Sequence, residues 1–247
     1  MKSKNSKLIF GTMRMEDHPY GLNEWCNFFS RLYERGISQL HTSYEYKSYD
    51  LVCTILDKWH KDNKNKRFKI SVKLPNPHFD EEYFIREKFQ EKIDNYLEDL
   101  NIKIIENVQW MWRSNTNYSR ERNKKYLESK NEILDSVSEN KKIGKLSSFL
   151  CFPYTNNFGE LTLKDFDGIA VYFNSLEQES LNLMKKAALM NKKILTIRPF
   201  AGGKLFQDKV KISTLLNFQL RHEFIDGIIY TCTKEDNLEE LNKFLNS

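Results

Sequence analysis

The sequence predicts an α/β protein folded as a single (β/α)8 TIM barrel domain spanning residues 1–247. Three observations predict it. Short apolar runs alternate with longer amphipathic stretches along the whole chain, and this alternation calls for parallel strands joined by right-handed crossovers. The turn after the first run, Gly11-Thr12-Met13-Arg14, lacks the glycine pattern that an open dinucleotide-binding sheet places there. A length of 247 residues with 40% hydrophobic content suffices for one large core.

The units follow in order. Lys7 to Gly11 reads as the first strand, and Asn23 to Glu34 as a helix with Trp25, Phe28, Phe29 and Leu32 at helical spacing, closed by Gly36. Ser38 to Thr42 is the second strand and Ser48 to His60 the second helix. Phe68 to Leu74 alternates with period two as the third strand; Pro75, Pro77 and Asp80 then mark the loop before a helix over Glu81 to Leu100. Ile104 to Trp112 and Arg120 to Lys142 make the fourth unit. Leu146 to Phe152 is the fifth strand, but Thr155 to Asp165 carries Asn156, Asn157 and Gly159 and reads mostly as loop. Gly168 to Phe173 with Ser175 to Met190, Lys193 to Pro199 with Val210 to Glu223, and Gly227 to Tyr230 with Lys234 to Leu245 complete the eight.

Composition narrows the function. Charged residues make up 30% and the net charge is +5, yet Lys and Glu are interleaved rather than blocked, which describes solvated helix faces and not a nucleic-acid surface. The start, MKSKNSKLIF, carries too short an apolar run for a signal peptide, and no segment approaches the ~18 apolar residues of a membrane span. Cys26, Cys53, Cys151 and Cys232 share no metal or CxxC spacing, and His18, His41, His60, His78 and His222 show no ligand spacing. The expectation is a cytoplasmic protein with reduced thiols, no metal, and neither nucleic acid nor membrane as a partner.

In such barrels reactive groups project from the C-terminal strand ends and the loops beyond them. Those ends offer Tyr46, Lys73 and His41 near one mouth, and a Lys beside a phenol lowers its pKa and makes it a usable proton donor. The alternative reading of the same residues is a loop aromatic and a rim cation. Trp110 and Trp112 flank Met111 and, with Tyr44, Tyr46 and Phe152, offer an aromatic pocket at the mouth or else core packing.

The segments FGTMRM, HTSYEY, ISVK, LNIKIIENVQWMW, KKIGKL and RPFAGGKL fall in an order and spacing that resembles the aldo-keto reductases, from about Lys7 to Leu245. The resemblance implies NADPH-dependent reduction of a small carbonyl substrate by a tetrad of Asp, Tyr, Lys and His. It places Tyr46 as proton donor and Lys73 as its neighbour, while His41 stands at the Asp position and Met111 at the His position. His41 cannot supply the carboxylate that would hold Lys73 charged. Met111 cannot donate a hydrogen bond, a loss of about 2.7–4 kcal/mol of transition-state stabilisation.

For the cofactor, the resemblance puts Phe152, Pro153 and Ala170 where family members hydrogen-bond the nicotinamide carboxamide, and none of these side chains can do so. The stacking aromatic of the seventh strand is replaced by Ile197 and Arg198. Gly202, Gly203 and Lys204 match the pyrophosphate loop, and Thr233, Lys234 and Asn237 stand at the start of the last helix, where backbone N–H groups favour an anion. Two readings follow: an NADPH-dependent reductase slowed by its altered tetrad, or a catalytically degenerate member. The degenerate form would bind a ligand or partner; a further alternative is a repurposed barrel enzyme that uses Lys73 without nicotinamide as a base or Schiff-base amine.

Overall fold

The computed structural model describes residues 5–113, 119–206, 210–231, 240–241 and 243–244. Eight parallel strands close into a barrel in sequence order: β1 (Leu8–Gly11), β2 (Gln39–Thr42), β3 (Lys69–Pro75), β4 (Ile105–Met111), β5 (Leu146–Cys151), β6 (Gly168–Tyr172), β7 (Lys193–Ile197) and β8 (Gly227–Tyr230). The helices between them are α1 (Leu22–Glu34), α2 (Tyr49–Asp62), α3 (Arg86–Asp99), α4 (Ser119–Lys142), α5 (Asn156–Thr162), α6 (Leu181–Leu189) and α7 (Ile212–Leu220). The barrel expected from the alternation is therefore present. The helix expected over Lys234 to Leu245 lies largely outside the described residues.

Strand parity sorts the side chains into two cores. Ile9, Leu150, Ala170, Leu195 and Ile229 fill the barrel interior. The alternate positions, such as Phe10, Leu40, Val72, Val108, Trp110 and Phe149, join the larger core against the helices. The interior has a polar floor: the Lys193 ammonium donates to Asn107 Oδ1 at 2.8 Å and Ser148 Oγ at 3.0 Å, and Asn107 Nδ2 donates to Ser71 Oγ at 2.8 Å.

Three helices differ from the sequence expectation for local reasons. Helix α3 starts at Arg86 rather than Glu81, because the intervening loop is tied down separately, with Asn76 Nδ2 donating to the Ile85 carbonyl. Helix α6 starts at Leu181 rather than Ser175, because Asn174 Oδ1 accepts the amides of Leu176 and Glu177 and holds a turn there. Helix α5 forms where loop was expected. Thr155 caps it by accepting the Phe158 amide, and Gly159 is a contact residue, since a Cβ there would stand 2.4 Å from Leu183 Cδ2 of α6.

Gly168 shows the same logic on the barrel wall. A Cβ at this position would lie 1.9 Å from the Lys193 carbonyl oxygen, its neighbour across the β6–β7 pairing. Gly168→Ala is expected to cost about 3 kcal/mol or more, read as a lowered urea midpoint or loss of soluble protein. A midpoint equal to wild type would show that the β6–β7 edge relaxes freely.

Candidate active site

The loop from Ser43 to Ser48 carries the phenol to the barrel mouth. It is wound by turns in which the Tyr46 amide donates to the Ser43 carbonyl and the Tyr49 amide to the Tyr46 carbonyl. Ser48 Oγ pins it to the residue that follows β1 by donating to the Thr12 carbonyl at 2.9 Å, and Thr12 and Thr42 join through their hydroxyls at 3.0 Å. This folds Tyr46 back toward Lys73, whose ammonium lies 4.8 Å from the centre of the Tyr46 ring.

The carboxylate missing from β2 is supplied one residue before Tyr46. Glu45 Oε2 is 2.8 Å from Lys73 Nζ, and its other oxygen meets Arg113 and lies 3.5 Å from His78 Nε2. The expectation that Lys73 lacks a carboxylate is thereby corrected. Burial pushes the Glu45 carboxyl up, and Lys73 and Arg113 more than reverse it, so its pKa is lowered. Lys73 is lowered on balance because burial of the ammonium outweighs its hydrogen bond to Glu45. Tyr46 is raised, first by burial and then by Glu45. The lowered phenol pKa expected from a neighbouring Lys is not found, since burial of the phenol raises it first and the Glu45 carboxylate adds to the rise.

His41 faces Ser71 and Gly11 in the strand register and is buried within the barrel. Its Nε2 lies 2.9 Å from Gln109 Oε1, a contact in which the imidazole N–H donates to the amide oxygen. Burial lowers its pKa to about 4, so near neutral pH it is uncharged and does not repel Lys73. Met111 ends β4 beside Pro75 of β3 and is buried. Of the two readings of the aromatics around Met111, core packing holds for Trp110 and Trp112. Trp110 and Trp112 are fully buried and pack against each other; Trp110 also contacts Phe149 and Phe166, on the outward parity of β4.

At the cofactor positions Ala170 is enclosed in the barrel interior, and Phe152 packs edge-on against Tyr154 and Tyr172, with ring centres 4.8 and 5.0 Å away. Tyr172, which the sequence reading passed over, is paired with Ile197 of β7 in the sheet register and is 40% exposed. An aromatic surface thus stands one strand away from where the stacking ring was sought. The Arg198 guanidinium lies 4.8 Å from the Tyr172 ring centre and 3.1 Å from Glu177 Oε1.

After β7 the backbone takes positive φ at Arg198, Ala201, Gly202 and Gly203 (60°, 50°, 67° and 95°), a tight loop that leaves Gly202 and Lys204 exposed. Thr233, Lys234 and Asn237 lie outside the described residues. Among the described residues no group of three or more His, Cys, Asp or Glu is placed to hold a metal, and no helix is long and apolar enough to cross a membrane.

Comparison with known proteins agrees with the geometry. The model of the aldo/keto reductase family matches residues 7–247. No curated protein matches the sequence. Among solved structures, a Pseudomonas aeruginosa protein assigned as an aldo-keto reductase is similar at 17% identity and a TM-score of 0.74, covering 97% of this chain and 89% of its own. The holo form of an aldo-keto reductase from Bacillus halodurans is similar at 15% identity and 0.69, covering 95% and 86%. The aldose reductase of Schistosoma japonicum is similar at 12% identity and 0.64, covering 98% and 89%. At such identities the likeness to solved structures is one of fold.

Proposed function

Since the chain belongs to the aldo/keto reductase family, we propose that it reduces a small carbonyl compound with NADPH, slowly, using Tyr46 as proton donor and Lys73 held by Glu45. The observation that carries this reading is the cluster itself: a phenol, an ammonium 4.8 Å from its ring and a carboxylate 2.8 Å from that ammonium.

Bound NADPH would supply a hydride to the carbonyl carbon. The chain's own residues do the rest. Tyr46 gives its phenolic proton to the carbonyl oxygen, and Lys73 stabilises the phenolate left behind from the ring face. Glu45 favours the charged form of Lys73 against the cost of burial. The raised pKa of Tyr46 makes it a reluctant acid. Met111 gives the developing oxyanion no donor, so turnover is low.

The residues present fit the cofactor by different means at its two ends. The exposed Gly202 and Lys204, with Gly203, suit the pyrophosphate, and Thr233, Lys234 and Asn237 are proposed to complete that end. At the nicotinamide end Phe152, Pro153 and Ala170 leave no amide partner, and the exposed ring of Tyr172 offers stacking instead. We place the reaction in the cytoplasm, where Cys26, Cys53 and Cys151, all free, would stay reduced, and treat residues 1–247 as one domain.

The test is calorimetric titration with NADPH followed by a screen of aldehydes and ketones. Tryptophan quenching is a poor reporter here, because Trp110 and Trp112 are buried away from the mouth. Saturable NADPH binding with turnover reduced about 10²–10⁴-fold in Tyr46→Phe is the expected result. Absence of NADPH binding would overturn the reading in favour of a degenerate member that binds another ligand, which the loss of donors at Phe152, Ala170 and Met111 would then explain.

A further inference from the structure

A cleft of about 520 Å³ opens between α3 and the start of α2 at Tyr49, closed by the loop residues Tyr44, His78, Asp80 and Glu81. Its size is within the range of small-molecule sites. Three tyrosines line it. Tyr49 and Tyr96 are buried, and Tyr44 is half-buried with a hydroxyl that has no hydrogen-bond partner in the protein. The polar lining comes largely from one side of α3, where Lys88, Glu91, Lys92, Asn95 and Asp99 recur at three- and four-residue spacing.

The charges of this cleft oppose those of the whole chain. Four carboxylates (Asp80, Glu81, Glu91 and Asp99) against two lysines leave two negative charges, on a protein whose net charge is +5. Lys88 pairs with Glu81 at 2.6 Å, whereas Lys92 donates to the neutral Pro75 carbonyl at 3.2 Å and keeps its charge. Asp99 accepts only the Tyr49 hydroxyl, at 3.1 Å, among the contacts described, and Glu91 and Asp99 are exposed to the cleft. With Glu81 paired to Lys88, an anion entering would meet three carboxylates, Asp80, Glu91 and Asp99, against the single ammonium of Lys92. An ammonium would meet carboxylates over a tyrosine lining of which one face, that of Tyr44, already carries the Lys92 ammonium at 5.1 Å from its ring centre.

We infer that the α2–α3 cleft is a binding site for a small organic cation bearing one or more amino groups, held by Glu91 and Asp99 over the tyrosine floor. The site adjoins the Tyr46 cluster through His78, which lines the cleft and lies 3.5 Å from Glu45, but it does not depend on that cluster's chemistry. Its inner wall nonetheless touches the same strand, since the Tyr96 hydroxyl donates to the Lys73 carbonyl at 2.6 Å.

The test is calorimetric titration of the full chain with agmatine and with spermidine, alongside glucose and inorganic phosphate. Saturable binding of at least one amine is expected, weakening as salt is raised. It should fall about tenfold or more in Glu91→Gln/Asp99→Asn, which retains an acceptor for Tyr49, and stay unchanged in Tyr46→Phe. A thermal melt of the double variant matching wild type keeps the comparison interpretable, and Glu91→Gln alone serves if it does not. Failure of both amines to bind at millimolar concentration, equal binding to the double variant, or a preference for glucose or phosphate would overturn the inference.

Discussion

Glu45→Ala is expected to destabilise the protein by about 3 kcal/mol, the lower end of the range for breaking a buried ion pair. The Glu45 and Lys73 side chains are 16% and 11% exposed, so water relieves part of the penalty but not most of it. Without the carboxylate, Lys73 and Arg113 face each other with no counter-charge between them, in a region from which water is largely excluded. For a chain of this length the loss corresponds to roughly 6–12 °C in Tm. Lys73→Met placed on top of Glu45→Ala should recover much of it, because the apolar side chain removes the stranded ammonium. Urea unfolding of the two single variants and the double variant closes the cycle. Strict additivity would show that Glu45 and Lys73 do not act as a pair.

The pairing explains why the barrel was easier to read than the site. Hydrophobic periodicity repeats along the whole chain, so an error at one element, such as the loop expected where α5 forms, leaves the other units in place. The site depends on single positions. In His41-Thr42-Ser43-Tyr44-Glu45-Tyr46 the motif's acidic position is visibly empty, while Glu45 falls at a position the motif leaves unspecified. Only the turns over Ser43 to Tyr49 bring Glu45 round to Lys73, and no periodicity encodes them. The one available signal was that Glu45 is an acidic residue among the strand ends that supply Lys73 and Arg113. Trp110 was readable from strand parity. It stands out of phase with Asn107, Gln109 and Met111, which share the register of Ser71, Lys73 and Pro75, so it had to face the helices. Tyr172 could be placed only through its partner Ile197, a pairing that neighbouring strands reveal and a single strand does not.

The second large effect is a loss of stability in mild acid. Burial lowers the pKa of both His41 and His60 from 6.5 to about 4. His41 lies inside the barrel with Gln109 as its partner and Lys73 opposing its protonation, and neither nitrogen of the buried His60 has a hydrogen-bond partner in the protein. In the unfolded chain both rings take up a proton near pH 6.5, whereas in the folded protein they resist until about pH 4. The unfolded state therefore binds more protons in that window. Stability that is fully present above pH 6.5 is lost progressively as pH falls toward about 4, by about 3 kcal/mol for His41 alone. Glu45 acts lower down. Its folded pKa is depressed below 4.5, so its contribution is present above that value and is lost only as pH drops through the folded pKa. The two windows can be separated by substitution. In His41→Gln the fall in urea midpoint between pH 6.5 and 4 should shrink by about the His41 share, while the steeper loss below pH 4.5 stays. Proton NMR gives the direct check: the His41 ring signal should hold its position well below the pH at which an exposed histidine titrates. A His41 titration near pH 6.5 would mean that water reaches the ring and that the barrel interior is more open than its packing shows.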